Sequence, residues 1–389
     1  MKFNQFTANW HYPTAIRAGI GRIEDLPATC QELGITSPLL ITDPGLADLP
    51  MVQAALSNCQ QFGLKCAIFS QIKGNPTGDN VSDGVRVFKR GEHDGVIAFG
   101  GGSALDAGKA VALMVGQDRP IWDFEDVGDN WLNVNTAGMV PVVAVPTTSG
   151  TGSEVGRASV ITDHENHMKR IIFHPNMLPD IVILDPQLSV GLPATLTAAT
   201  GMDALSHALE AYCTNGYHPM AEGIALEAIR LVKDYLPRAV QDGHDLEARA
   251  QMMTASTMGS TAFQRGLGGM HALAHPIGAL YDSHHGLLNA ILMPYVLKAN
   301  RDAIETKLSR LSRYLELEGS DFDSFLDWIL TLRKQLDIPH SLGEIGIDSD
   351  RMIEIGIMAE QDPSAGGNPI MLNAQQYADI FLSAVHGDL

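Results

Sequence analysis

Five short, almost unbroken apolar runs punctuate the first half of the chain: Pro-Leu-Leu-Ile-Thr-Asp (38–43), Cys-Ala-Ile-Phe-Ser (66–70), Gly-Val-Ile-Ala-Phe (95–99), Pro-Val-Val-Ala-Val (141–145) and Ile-Val-Ile-Leu-Asp (181–185). Runs without an alternating polar face are what strands buried on both faces look like. Helical stretches lie between several of them, so the pattern predicts an open, largely parallel sheet covered by helices. After about residue 190 the strand signal stops and helical spacing takes over, as in Leu226, Ile229, Val232 and Leu236, and again in Phe325, Trp328, Ile329 and Leu332. The expected organisation is an α/β domain over 1–190 and an all-helical domain over 191–389, joined at Val-Gly-Leu-Pro-Ala (190–194).

Length and composition agree with this division. A chain of 389 residues suits two domains, each with a substantial core. No apolar run approaches the roughly 18 residues that cross a bilayer, so a membrane is excluded as a partner. A formal charge of −19 and the absence of a basic stripe interleaved with aromatics exclude nucleic acid. The opening Met-Lys-Phe-Asn-Gln-Phe-Thr has no signal pattern, and Cys30, Cys59, Cys66 and Cys213 form no CxxC, so the expected compartment is the cytoplasm. The cysteine pattern also excludes a thiolate zinc site.

Histidine is where the chemistry concentrates. Seven of the fourteen histidines fall between Asp203 and His285. Asp203 and His207 are four apart in a stretch of good helix formers, so both leave one face of one turn. His271 and His275 repeat the spacing, and His284 and His285 follow a turn-like Tyr-Asp-Ser. One histidine from each of the last two pairs would complete an Asp plus three His shell. Carboxylate and imidazole without thiolate suit Fe(II), Zn, Ni or Mn.

Two loops follow predicted strands, where ligands bind in parallel sheets. Gly100-Gly101-Gly102-Ser103 precedes a helical stretch, so its backbone N–H groups and the helix N-terminus would cradle a pyrophosphate. The second loop, Pro146 to Glu154, carries hydroxyls and glycines suited to ribose or phosphate. Asp43 ends the first predicted strand, where a carboxylate can hold a ribose diol and repel a 2′-phosphate.

These motifs carry a resemblance. The chain resembles the iron-containing (group III) alcohol dehydrogenases in the GGGSxxDxxK-like loop at 100–109, PTTxGTGSE at 146–154, TAAxGMDALxHAxEAY at 197–212 and HAxAHPxGAxYDxxHGxxNAxLMPYV at 271–296. The resemblance implies a dinucleotide-binding α/β domain, a helical domain and a catalytic cleft between them. It maps metal ligands to Asp203, His207, His271 and His285, and leaves His275 beside substrate and nicotinamide as the proton-moving group. It maps NAD contacts to Asp43, Asn75, Gly101, Gly102, Ser103, Thr147, Thr148, Thr151 and Lys169. The implied cofactors are Fe(II), with Zn as the other candidate, and NAD. The implied partners are a small alcohol or aldehyde and at least one further copy of the chain.

The substrate is less defined. His284 stands where many members have Pro, the segment before His271 is shorter than usual, and Arg157 follows the Thr/Gly loop closely. Ser364 matches a position lining the substrate end in relatives. Arg265, six residues before His271 in a segment expected to face the cleft, would suit a remote carboxylate and hence a hydroxy acid or its semialdehyde. A lyase resembling dehydroquinate synthase would need a Lys/Arg cluster near the metal residues, a region poor in them, and a non-catalytic metal or dinucleotide sensor is the alternative outside enzymes.

Overall fold

The computed structural model describes residues 7–10, 14–166 and 168–389. The chain divides into two compact units, Met1–Thr148 with Gly152–Gly191 and Ser149–Thr151 with Leu192–Leu389.

The strands of the first unit are β1 (Thr7–Trp10), β2 (Ala15–Gly19), β3 (Pro38–Ile41), β4 (Ala67–Phe69), β5 (Gly95–Gly100), β6 (Val142–Pro146), β7 (Ala158–Asp163), β8 (Met168–Phe173) and β9 (Ile181–Leu184). Seven form one sheet in the order β1-β2-β9-β6-β5-β3-β4, in which β1 alone runs antiparallel; β7 and β8 form a separate antiparallel hairpin. All five apolar runs lie on parallel strands, and the reason is visible in the packing. Leu39, Ile41, Val96 and Ala98 enter one core with Val81, Phe88, Leu105 and Val111. The alternate residues Leu40, Ile97, Phe99, Val143, Val145 and Ile183 enter a second core with Leu26, Cys30, Val52 and Cys59. Helices α1 (Leu26–Glu32), α2 (Pro44–Ala47), α3 (Pro50–Gln61), α4 (Gly78–Arg90) and α5 (Gly102–Met114) supply the covering residues.

The apolar pattern does not single out β2, β7 or β8. Strand β2 carries Arg17, whose guanidinium donates to Thr29 at 2.5 Å, and β7 alternates buried and half-buried positions, as a hairpin covered on one side does.

The second unit is helical: α6 (Ala194–Cys213), α7 (Pro219–Gln241), α8 (Leu246–Ala262), α9 (Gly269–Tyr281), α10 (His285–Ala299), α11 (Arg301–Tyr314), α12 (Phe322–Gln335), α13 (Met352–Gln361) and α14 (Ala374–His386). Among the described residues no strand follows β9. The stripes of α7 and α12 meet in one core, where Leu226, Ile229, Val232, Leu236, Phe325, Ile329 and Leu332 are buried and Trp328 packs at the margin. Among the described residues no helix is long and apolar enough to cross a membrane.

Candidate active site

In the first unit the strand order reverses between β3 and β5: the chain leaves β3 for β4 on one side and returns to β5 on the other. This is where parallel sheets of this kind bind ligands. Asp43 follows β3, and its Oδ1 accepts the N–H groups of Gly45 (2.9 Å) and Leu46 (3.1 Å), capping α2. Gly100 follows with φ +145°, a conformation that favours glycine, and a Cβ there would lie 2.8 Å from Ala104 Cβ and 3.6 Å from Asp43 Oδ2. Gly101 caps α5 and Gly102 begins it, so the predicted cradle stands at a true helix N-terminus of 13 residues.

The neighbouring predicted residues gather around this point unequally. Thr147 N–H donates to Gly100 O at 3.0 Å, and the Thr148 methyl would meet a Cβ at Gly101 at 3.3 Å. Ser103 donates to Gly74 O, beside Asn75. Lys169 pairs with Thr162 across the hairpin, and Thr162 bridges Thr77 in the turn that holds Asn75. Thr151 belongs to the stretch 149–151 of the second unit. Sequence reasoning did not single out Lys109 and Asp106, although both stand in the glycine-loop motif. The buried Lys109 ammonium donates to Ser153 O at 3.0 Å and to Ala158 O, while Asp106 accepts from Ser153 Oγ (2.5 Å) and Val160 N–H (2.9 Å). Burial pushes the Lys109 pKa down, with Asp106 opposing. The pair ties α5 to the end of the second polar loop.

In the second unit the ligand atoms of Asp203, His207 and His271 all lie within 4.8 Å of one another, in buried surroundings. The four-residue spacing on α6 does what the helical period requires, setting Asp203 and His207 on one face. The His207 and His271 rings stack at 4.7 Å. His285 begins α10 and its Nε2 lies 3.7 Å from Asp203 Oδ1. The adjacent His284 is exposed and caps α10, its Nδ1 accepting Leu287 N–H at 3.4 Å.

The donor set fits a cation. Asn289 Nδ2 lies 2.9 Å from Asp203 Oδ1, 3.2 Å from His271 Nε2 and 3.1 Å from His285 Nε2. A carboxylate oxygen and two ring nitrogens able to accept thus converge on an amide with two protons. Burial pushes the His207 pKa down to about 4, against the pull of Asp203, so the ring is a neutral lone-pair donor. Burial alone would lower His271 too, but Glu210, with Asp203 and Asp362, outweighs it and the pKa is raised.

Three residues here escaped sequence reasoning. Glu210 accepts from His271 Nδ1, Asp362 accepts from His275 Nδ1, and Asn289 occupies the centre just described. Glu210 had one signal, its place on the Asp203/His207 face of α6, seven residues after Asp203. His275 is half-buried, its ring stacked on His285 at 5.3 Å and edge-on to His271 at 5.9 Å.

The expectation that Arg265 presents a free guanidinium to substrate is corrected. Its side chain is 4% exposed, Nη1 pairs with Glu222 at 2.7 Å and Nη2 donates to Gly216 O. The 3-10 turn Phe263–Arg265 ends at Gly266 with φ +126°, and Arg265 packs onto Glu222 of α7.

The first unit is thus α/β with a glycine loop at a helix N-terminus, and the second is helical with a buried Asp/His cluster able to hold a metal ion. The chain belongs to the iron-containing alcohol dehydrogenase family, whose model matches residues 13–186 and whose C-terminal model matches 197–385. It is 36% identical over 378 residues to the 4-hydroxybutyrate dehydrogenase of Cupriavidus necator, covering 94% of this chain and 97% of that protein. It is 34% identical to the NAD-dependent methanol dehydrogenase of Bacillus methanolicus, over 97% of this chain and 100% of that one. A crystal structure of 1,3-propanediol oxidoreductase superposes with a TM-score of 0.90 at 36% identity, covering 95% of this chain and 97% of that one. The protein is accordingly an oxidoreductase acting on CH–OH groups.

Proposed function

We propose that the chain is an iron(II)-dependent, NAD(H)-linked alcohol dehydrogenase that moves a hydride between nicotinamide C4 and a small primary alcohol or its aldehyde. The observation that carries this reading is the convergence of Asp203, His271 and His285 on one point, with His207 in the same cluster. Those four side chains would hold the metal. Iron held there would supply Lewis-acid chemistry to the oxygen of the reacting carbon.

The chain's own residues do the rest. Glu210 holds the His271 ring by its Nδ1 proton, leaving Nε2 as the donor atom. His275 moves the alcohol proton toward solvent. Gly101, Gly102, Ser103, Thr147, Thr148, Thr151, Asn75 and Lys169 bind the dinucleotide, and the Asp43 carboxylate selects NAD over NADP. NAD use is also what the name of the Bacillus methanolicus relative states.

A hydroxy-acid substrate is the second reading, favoured by the name of the Cupriavidus necator relative, though not by Arg265. The test is NADH formation by anaerobically Fe(II)-loaded enzyme against primary alcohols, diols and ω-hydroxy acids. Turnover of primary alcohols supports the first reading, and preference for hydroxy acids the second. No net NADH from any of them would leave a lyase or a sensor. Activity restored by zinc alone, and stable in air, would overturn the iron assignment.

A further inference from the structure

We propose that Asp362 is a positioning residue for proton transfer, fixing both the tautomer and the orientation of His275. The inference rests on the proposed role of His275 in moving the alcohol proton. Asp362 Oδ2 lies 2.8 Å from His275 Nδ1, from a residue 87 positions away in sequence. An ionised carboxylate can only accept, so the proton shared in this bond belongs to Nδ1. Among the described residues this is the only side-chain hydrogen bond of His275. Nε2 is therefore the nitrogen left to exchange a proton, on a ring that is 15% exposed and stacked on His285.

The carboxylate is itself held. Its Oδ1 accepts Ser364 N–H at 2.8 Å, capping the 3-10 turn Pro363–Gly367. One oxygen anchors the residue to its own turn and the other aims the imidazole. A side chain so divided cannot rotate without losing one bond or the other.

Asp362→Asn keeps the volume but can present an N–H to Nδ1 and favour the other tautomer. Asp362→Ser keeps an oxygen for the cap and is too short to reach His275. Both should lower kcat by about 10–10²-fold, part of the 10²–10⁴ that positioned proton transfer contributes. KM for the alcohol, Kd for NADH and metal content should stay within about twofold of wild type, a split that general unfolding would not give. The double variant Asp362→Asn/His275→Ala should be no slower than His275→Ala alone. A slow His275→Ala beside an unimpaired Asp362→Asn, or losses that multiply in the double variant, would overturn the positioning role alone. A His275→Ala enzyme with the wild-type rate would overturn the reading of His275, and this inference with it.

Discussion

Glu210 accepts the Nδ1 proton of His271 at 2.7 Å, and the same carboxylate accepts the N–H groups of Gly268 at 2.8 Å and Met270 at 2.6 Å. One buried side chain on α6 thus satisfies the start of α9 and orients the imidazole that α9 presents to Asp203. Helix capping and metal-ligand orientation are joined in it. Glu210→Gln keeps the shape but sets an NH₂ group against N–H donors. It should lose about 1.5–3 kcal/mol of stability, the range for hydrogen bonds to charged groups, and about 10–100-fold in metal affinity or activity. Denaturant unfolding and metal titration check the two effects, and a variant with wild-type metal affinity would show that Glu210 only caps the helix.

The two adjacent histidines should separate cleanly. His285 faces Asp203, whereas His284 is exposed and caps α10 through a long 3.4 Å contact. His285→Ala should be purified without stoichiometric metal. His284→Ala should retain it and lose no more than about 1 kcal/mol of stability. Metal analysis of both proteins decides, and the reverse pattern would exchange their roles.

How much of this was legible in the chain depends on whether the signal was local. The parallel strands and Gly100–Ser103 could be read because burial on both faces and a strand-to-helix turn each mark a few consecutive residues. The Asp203/His207 pair could be read because it lies within one helical turn. Asp362 could not, since nothing in Asp-Pro-Ser-Ala-Gly-Gly-Asn-Pro reports a bond to a histidine 87 residues earlier. Arg265 misled for a related reason: it lies six residues before His271, but the partner that takes its guanidinium, Glu222, lies 43 residues away in sequence.

Asp43 uses Oδ1 to cap α2 while Oδ2 lies on the side of Gly100. A carboxylate placed there should repel a 2′-phosphate. Asp43→Gly should lower KM for NADP and raise KM for NAD, with a cap loss of only a few tenths of a kcal/mol. Steady-state kinetics with both cofactors check it. A wild-type enzyme that already prefers NADP would remove the role assigned to Asp43.

His174 predicts a pH dependence away from the metal residues. Burial lowers its pKa, and its Nδ1 accepts Asn176 N–H at 3.0 Å. The folded value is below the unfolded one of about 6.5, so the unfolded chain takes up the proton first. The stability this contributes is present above pH 6.5 or so and is lost as pH falls. His174→Asn keeps an acceptor for Asn176 but does not titrate. Between about pH 7.5 and 5.5 the urea midpoint of the wild type should fall further than that of the variant. Parallel losses would mean that His174 is not protonated differently in the two states.

The final prediction concerns substrate charge. Arg265 is committed to Glu222 and to the carbonyls of Ala211 and Gly216, which bind the loop after α6 to the turn before α9. Removing one partner of a fully buried ion pair costs about 3–5 kcal/mol. Glu222 is 26% exposed, and water can compensate part of that, so Arg265→Met should cost about 2–3 kcal/mol. Whatever preference the wild type shows between a semialdehyde and the neutral aldehyde of equal length, the variant should retain it, because the guanidinium is spent on protein acceptors. The ratio of the two kcat/KM values is the measurement. If it collapses in Arg265→Met while neutral substrates are spared, the guanidinium leaves Glu222 for the substrate during turnover, and the hydroxy-acid reading regains its binding residue.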